Sequence, residues 1–225
     1  LKLLNEQSIF LRIDFLLCAL LFISIGLVED IFGRAPAILR FFSIFIASSI
    51  VIYNQDALPV IDIPIIDKIL IDYPIMNVLF FSIGLTALAN GFNIIDGMNG
   101  LVGFTSLGCI AALFTLIYFI TNNHLFQTEL ILLTIGISIF LVFNFPFGKV
   151  FFGDTGCYWV GWVIGLIVIN MYSSSNINTW GAILIIFYPL QEVIFSSIRK
   201  VLQKKSPLSS DVEHLHLKLY FILKG

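Results

Sequence analysis

Seven apolar runs, each close to the length that crosses a bilayer, constrain this chain more than any other feature. They are residues 9–28, 38–54, 74–92, 100–121, 127–146, 157–173 and 179–199. A hydrocarbon core about 30 Å thick needs roughly 20 apolar residues per helix, and inside it every backbone polar group must be satisfied within the segment. With 59% hydrophobic residues, 12% charged residues and a mean hydropathy of +1.01, the 225-residue chain reads as an all-α polytopic membrane protein with about seven transmembrane helices. The stretch 60–71 is also apolar, but Pro64 breaks it and Asp62, Asp67 and Asp72 punctuate it. It reads as an interfacial loop or β-hairpin that does not span.

A formal net charge of −2, with Lys and Arg dispersed, excludes a basic surface for nucleic acid. Cys18, Cys109 and Cys157 lie in or beside apolar runs without C-x-x-C spacing and read as packing residues. No charged n-region and cleavage site precede the first run, and an apolar stretch is opening where the chain stops at Gly225. The expectation is a single integral-membrane domain over 1–225, truncated at both ends.

Seven spans put the loops alternately on two sides. The side holding 29–37, 91–99, 147–156 and 199–225 carries nine of the twelve Lys and Arg residues, against three for the side holding 1–8, 55–73, 122–126 and 174–178. The bias of Lys and Arg toward cytoplasmic loops orients the first group inward.

Four polar clusters fall on that inner side. Glu29-Asp30 ends the first run; paired carboxylates there hold a divalent cation or share a proton, or else anchor a helix end in water. Asn90, Asn93, Asp96 and Asn99 recur every third residue among glycines, as ligand-binding groups or as interhelical hydrogen-bonding amides. Asp154, in Gly153-Asp154-Thr155-Gly156, stands before the helix beginning near Cys157, where it either caps that helix or holds Mg²⁺ beside amides that bind a pyrophosphate. His214 and His216 form an H-x-H pair after a basic run; without further ligands at zinc spacing, they read as imidazoles facing a diphosphate or as a surface loop.

These motifs resemble those of the polyprenyl-phosphate N-acetylaminosugar-1-phosphate transferases. F-N-I-I-D-G-M-N-G-L is similar to the family's N-x-x-D-G-x-D-G-L, V-F-F-G-D-T-G to its F-x-G-D-x-G, and E-H-L-H-L-K to its histidine motif. The resemblance implies transfer of a sugar 1-phosphate from a UDP-N-acetylaminosugar to undecaprenyl or another polyprenyl phosphate, with release of UMP. It further implies a multi-pass protein of the bacterial inner membrane with its active site facing the cytoplasm and its acceptor drawn from the membrane lipid; a homodimer is left open. Mg²⁺, with Mn²⁺ as a substitute, would be the cofactor. By position, Asp154 would hold the metal with Asp96 nearby, Asn93 and Asp96 would line the nucleotide and metal region, and Asn99 would face the uracil. Glu29 and Asp30 would activate or orient the lipid phosphate, and His214 and His216 would bind the donor diphosphate. Glu29 and Asn99 replace aspartates of the family pattern and Leu217 replaces a histidine, as in the branch that initiates O-antigen and other surface polysaccharides.

An ion-coupled transporter or channel is the rival from another class, and a structural membrane subunit the third reading. A transporter places charge near span centres, whereas here the carboxylates and histidines sit at segment ends, Glu192 being the main exception.

Overall fold

The computed structural model describes residues 10, 12–33, 36–55, 59–121, 126–174 and 179–205; within its helices the side chains of residues 25, 30, 120, 121 and 172–174 lie outside that description. The described residues are helical, without a strand: α1 (Ile13–Phe32), α2 (Ala37–Tyr53), α3 (Pro64–Asp72), α4 (Pro74–Ile94), α5 (Leu101–Leu116) running into a π-turn (Ile117–Thr121), α6 (Gln127–Asn144), α7 (Gly153–Ser174), α8 (Thr179–Ile185) and α9 (Phe187–Leu202).

Among them α4, α6, α7 over Gly153–Met171 and the α5 segment Leu101–Phe119 are long and apolar enough to cross a membrane. A fifth span results if α8 and α9 are taken together across their 81° bend. The run 38–54 becomes the 17-residue α2, shorter than those four, and α1 has 20 residues but bears Asp14, Glu29 and Asp30 near its ends. The expected loop or hairpin at 60–71 is instead the short helix α3. Pro64 occupies its first turn, where a missing N–H costs nothing, and so starts the helix rather than breaking it.

α4 and α7 form the centre. Gly161 and Gly165 let α7 close on Leu85, Leu88, Ala89 and Phe92 of α4, the small-residue packing that joins helices where lipid is as apolar as the interior. α1 packs on α7 and α2 on α4, while α5 packs on α7 and carries α6. The buried Trp162 stacks with Phe15 and donates its indole N–H to Ser48 Oγ at 2.9 Å, so α7, α1 and α2 meet through one satisfied ring. Outward faces carry exposed Leu, Ile and Phe, as a lipid-facing surface requires.

The run 179–199, expected as one span, breaks at Ile186. Pro189 has no N–H for the carbonyl of Ile185 and its ring crowds that turn. Cys109 Sγ of α5 lies 3.1 Å from Ile185 O and donates to it, so a neighbouring helix satisfies the freed group. α9 then leaves against α4, the Pro189 backbone lying on Gly91.

Candidate active site

Four helix termini meet at one end of the bundle: the last turn of α1, the first turn of α2, the last turn of α4 and the first turn of α7. α1 closes at Gly33, whose left-handed conformation (φ 57°) lets its N–H bond back to Glu29 O at 2.7 Å. That cap places Glu29 and Asp30 in the final turn. α7 opens at Gly153, earlier than the sequence reading set it, so Asp154 lies within the first turn, where a carboxylate complements the helix dipole.

The four elements converge on one cluster. Arg40 Nη1 of α2 donates to Asp154 Oδ2 and lies 3.5 Å from Glu29 Oε1. Asn93 Nδ2 of α4 donates to Asp154 Oδ1 at 2.7 Å, and Tyr158 OH of α7 reaches Asn93 Oδ1 at 3.4 Å. Asp154 is thus held at both oxygens, by a cation and by an amide. α1 can approach this closely because residue 26 is glycine; any side chain there would strike Thr155, next to Asp154. Side-chain exposures of 20% for Arg40, 23% for Glu29 and 25% for Asp154 leave the cluster reachable from solvent.

A second polar knot supports it. The buried Asn144, last residue of α6, accepts from Gly100 N–H at 2.5 Å and donates to Val150 O at 2.8 Å, tying the start of α5 to the loop that leads into α7. Asn99 Nδ2 donates to Pro146 O at 3.1 Å, so the exposed Asn99 rests on that same loop. Asp96 stands half-buried in the turn after α4, its N–H 3.3 Å from Asn93 O. The structure therefore brings Glu29, Asn93 and Asp154 together, with Asp96 one turn beyond. The side chain of Asp30, and His214 and His216, lie outside the described residues.

Three contributors escaped the sequence reading. Arg40 entered it only as a charge that sets orientation, although a cation at the third position of an apolar run is itself a functional signal. Tyr158 and Asn144 carried no signal beyond their neighbourhood.

Among the described residues no three His, Cys, Asp or Glu side chains group as a metal site. Mg²⁺ needs fewer protein ligands when phosphate oxygens and waters complete its octahedron, and the carboxylates of Asp154 and Glu29 are hard oxygen donors of the right type. In donor chemistry these two carboxylates fit such an ion.

Fold and site together define an all-α polytopic membrane protein with a carboxylate-centred site at one end of its bundle. The chain belongs to glycosyl transferase family 4, whose model matches residues 13–172, and within it to the polyprenyl-phosphate sugar-1-phosphate transferases. It is 28% identical over 138 residues to the undecaprenyl-phosphate alpha-N-acetylglucosaminyl 1-phosphate transferase of Thermotoga maritima, a match covering 61% of this chain and 41% of that one. To the decaprenyl-phosphate N-acetylglucosaminephosphotransferase of Mycolicibacterium smegmatis it is 26% identical over 224 residues, covering 88% and 54%. A putative UDP-N-acetylglucosamine–dolichyl-phosphate N-acetylglucosaminephosphotransferase of Sulfolobus acidocaldarius is 32% identical over 167 residues, covering 71% and 48%. The chain spans about half the length of these curated relatives. Family membership lends no support to the transporter or channel reading.

Proposed function

We propose that the complete natural protein transfers an N-acetylaminosugar 1-phosphate from a UDP-sugar to a polyprenyl phosphate, at the cytoplasmic face of a bacterial inner membrane. The observation that carries this reading is the convergence of Glu29, Asn93 and Asp154, from three helices, around the Arg40 guanidinium. Oxygen donors and a cation at one solvent-reachable point suit a diphosphate, and surrounding apolar surface suits a lipid acceptor.

In the reaction an oxygen of the lipid phosphate attacks the phosphorus bonded to the sugar, the bridging P–O bond breaks, and UMP leaves. Asp154, with Asp96 nearby, would hold Mg²⁺, or Mn²⁺ in its place, and the ion would supply neutralisation of charge on the departing UMP. Asn93 fixes the Asp154 carboxylate through its 2.7 Å hydrogen bond, so that the charge is in place before substrate arrives. Glu29, with Asp30 beside it in sequence, orients the acceptor phosphate or holds its proton. Asn99 serves the uracil side and His214 and His216 the diphosphate, on the strength of the family motifs. The relatives named for N-acetylglucosamine make UDP-N-acetylglucosamine the first donor to try; initiation of O-antigen or another envelope polysaccharide is the role that the motif resemblance suggests.

The test is UMP release by the complete natural protein in lipid, with undecaprenyl phosphate, Mg²⁺ and a panel of UDP-N-acetylaminosugars. UMP appearing with one donor and requiring both the lipid and the metal supports the proposal. No UMP from any donor, under conditions where a relative is active, refutes it.

A further inference from the structure

Arg40 is placed unusually for a structural cation. A single nitrogen, Nη1, serves two carboxylates from different helices, Glu29 of α1 and Asp154 of α7. Its Nε, in contrast, is buried with no hydrogen-bond partner among the described protein atoms. An arginine committed to one architecture has its fork of donors matched to acceptors, because a buried unsatisfied N–H is costly. Beside the side chain lies a water-sized cavity of about 10 Å³ bounded by Phe22, Gly26, Ser43, Ile44 and Tyr158.

Charge points the same way. Arg40, Glu29 and Asp154 together carry one net negative charge, which a divalent cation would turn to one net positive with two cations sharing the same carboxylates. Like charges that close in a partly buried site disfavour each other. A planar guanidinium released there has an obvious destination, since it matches phosphate oxygens two at a time.

Resting on the function proposed above, we propose that Arg40 is an exchangeable counter-ion: it holds Glu29 and Asp154 together in the ligand-free protein, then passes to the donor diphosphate when a divalent cation takes Asp154. Arg40 thereby competes with the metal in the absence of donor and assists donor binding in its presence.

Two binding measurements on the complete natural protein in nanodiscs test this, neither requiring turnover. Mn²⁺ binding without nucleotide is read by electron paramagnetic resonance, and UDP-N-acetylglucosamine binding with Mg²⁺ by calorimetry. Arg40→Gln is expected to bind Mn²⁺ about ten-fold more tightly and the nucleotide sugar about ten-fold more weakly, the change that one charge-assisted hydrogen bond of ordinary strength produces. Arg40→Lys, which keeps the charge but loses the fork, is expected to leave Mn²⁺ binding near wild type while still weakening the nucleotide sugar. Unchanged or weaker Mn²⁺ binding in a folded Arg40→Gln protein overturns the proposal. If that variant fails to fold, Arg40→Lys decides alone, and wild-type affinity for the nucleotide sugar overturns it. A wild type that binds no UDP-sugar refutes the functional reading itself, whereas normal donor binding with unmoved Mn²⁺ affinity refutes only the role of Arg40.

Discussion

Replacing Gly26 with alanine adds one methyl group where α1 touches α7. The nearest atoms it meets are Oγ1, Cα and Cβ of Thr155. Because Cα is backbone, no rotamer change at Thr155 relieves the overlap, and the first turn of α7 must move. Overpacking of this kind costs about 1–3 kcal/mol. Asp154 precedes Thr155 and is tied to Arg40 and Asn93, so the displacement falls on the candidate reacting centre. Misplacing a catalytic group by about 1 Å costs on the order of 100-fold in rate, about 2.7 kcal/mol of barrier at 1.36 kcal/mol per decade. Gly26→Ala in the complete natural protein is therefore expected to lower kcat for UMP release by about 10- to 100-fold and to lower Tm in the same lipid by a few degrees. Gly108→Ala on α5 is the control, since a methyl there meets nothing within 4 Å. It is expected to retain activity and to gain about 0.5–1 kcal/mol of helix stability. Wild-type kcat in Gly26→Ala, or equal damage from Gly108→Ala, would show that α1–α7 contact does not position the site.

Asn93→Ala removes the amide that donates to Asp154 at 2.7 Å; a charge-assisted bond of about 1.5–3 kcal/mol predicts a kcat/KM roughly 10- to 100-fold lower, and a value within two-fold of wild type would exclude a positioning role. Tyr158→Phe loses only a 3.4 Å contact to Asn93; steady-state kinetics should show a loss below about ten-fold, smaller than that of Asn93→Ala. Asn144→Leu strands the Gly100 N–H and the Val150 carbonyl. At about 1–3 kcal/mol for each buried group left unpaired, thermal unfolding should shift clearly downward, and an unchanged Tm would contradict the knot. Trp162→Phe deletes the indole bond to Ser48, which is not one of the cluster's hydrogen bonds; it should cost about 1–2 kcal/mol of stability, read by thermal unfolding, while kcat stays near wild type.

Helical membrane architecture was legible because a bilayer permits few alternatives to long apolar helices. Breaks within those runs were harder to see. The bend at Ile186 has its cause written three residues later, in Pro189, but an apolar run scored by hydropathy conceals it. Pro64 shows the opposite error, since a proline reads as a breaker until one knows that it begins a helix. Glu29, Asn93 and Asp154 stood out because polar side chains at the ends of apolar runs need a reason to be there. Their meeting point did not, since it depends on Gly26 admitting Thr155 and on Gly161 and Gly165 admitting α4, distances that no local pattern encodes. Arg40 was not legible as a site residue, because an arginine at the end of an apolar run is equally accounted for as a charge that orients the span. Asn99 was read for a ligand, and the structure adds a contact with the 145–150 loop that sequence spacing cannot convey.

The central claim is that Asp154, at the head of α7, is the point on which transfer turns. The most direct measurement compares UMP release by wild-type and Asp154→Asn proteins, both complete and in the same lipid, with undecaprenyl phosphate, Mg²⁺ and UDP-N-acetylglucosamine. Asparagine keeps the shape and removes the charge, so the account predicts a folded protein whose turnover falls by about 100-fold or more. Turnover by Asp154→Asn equal to that of the wild type would contradict it.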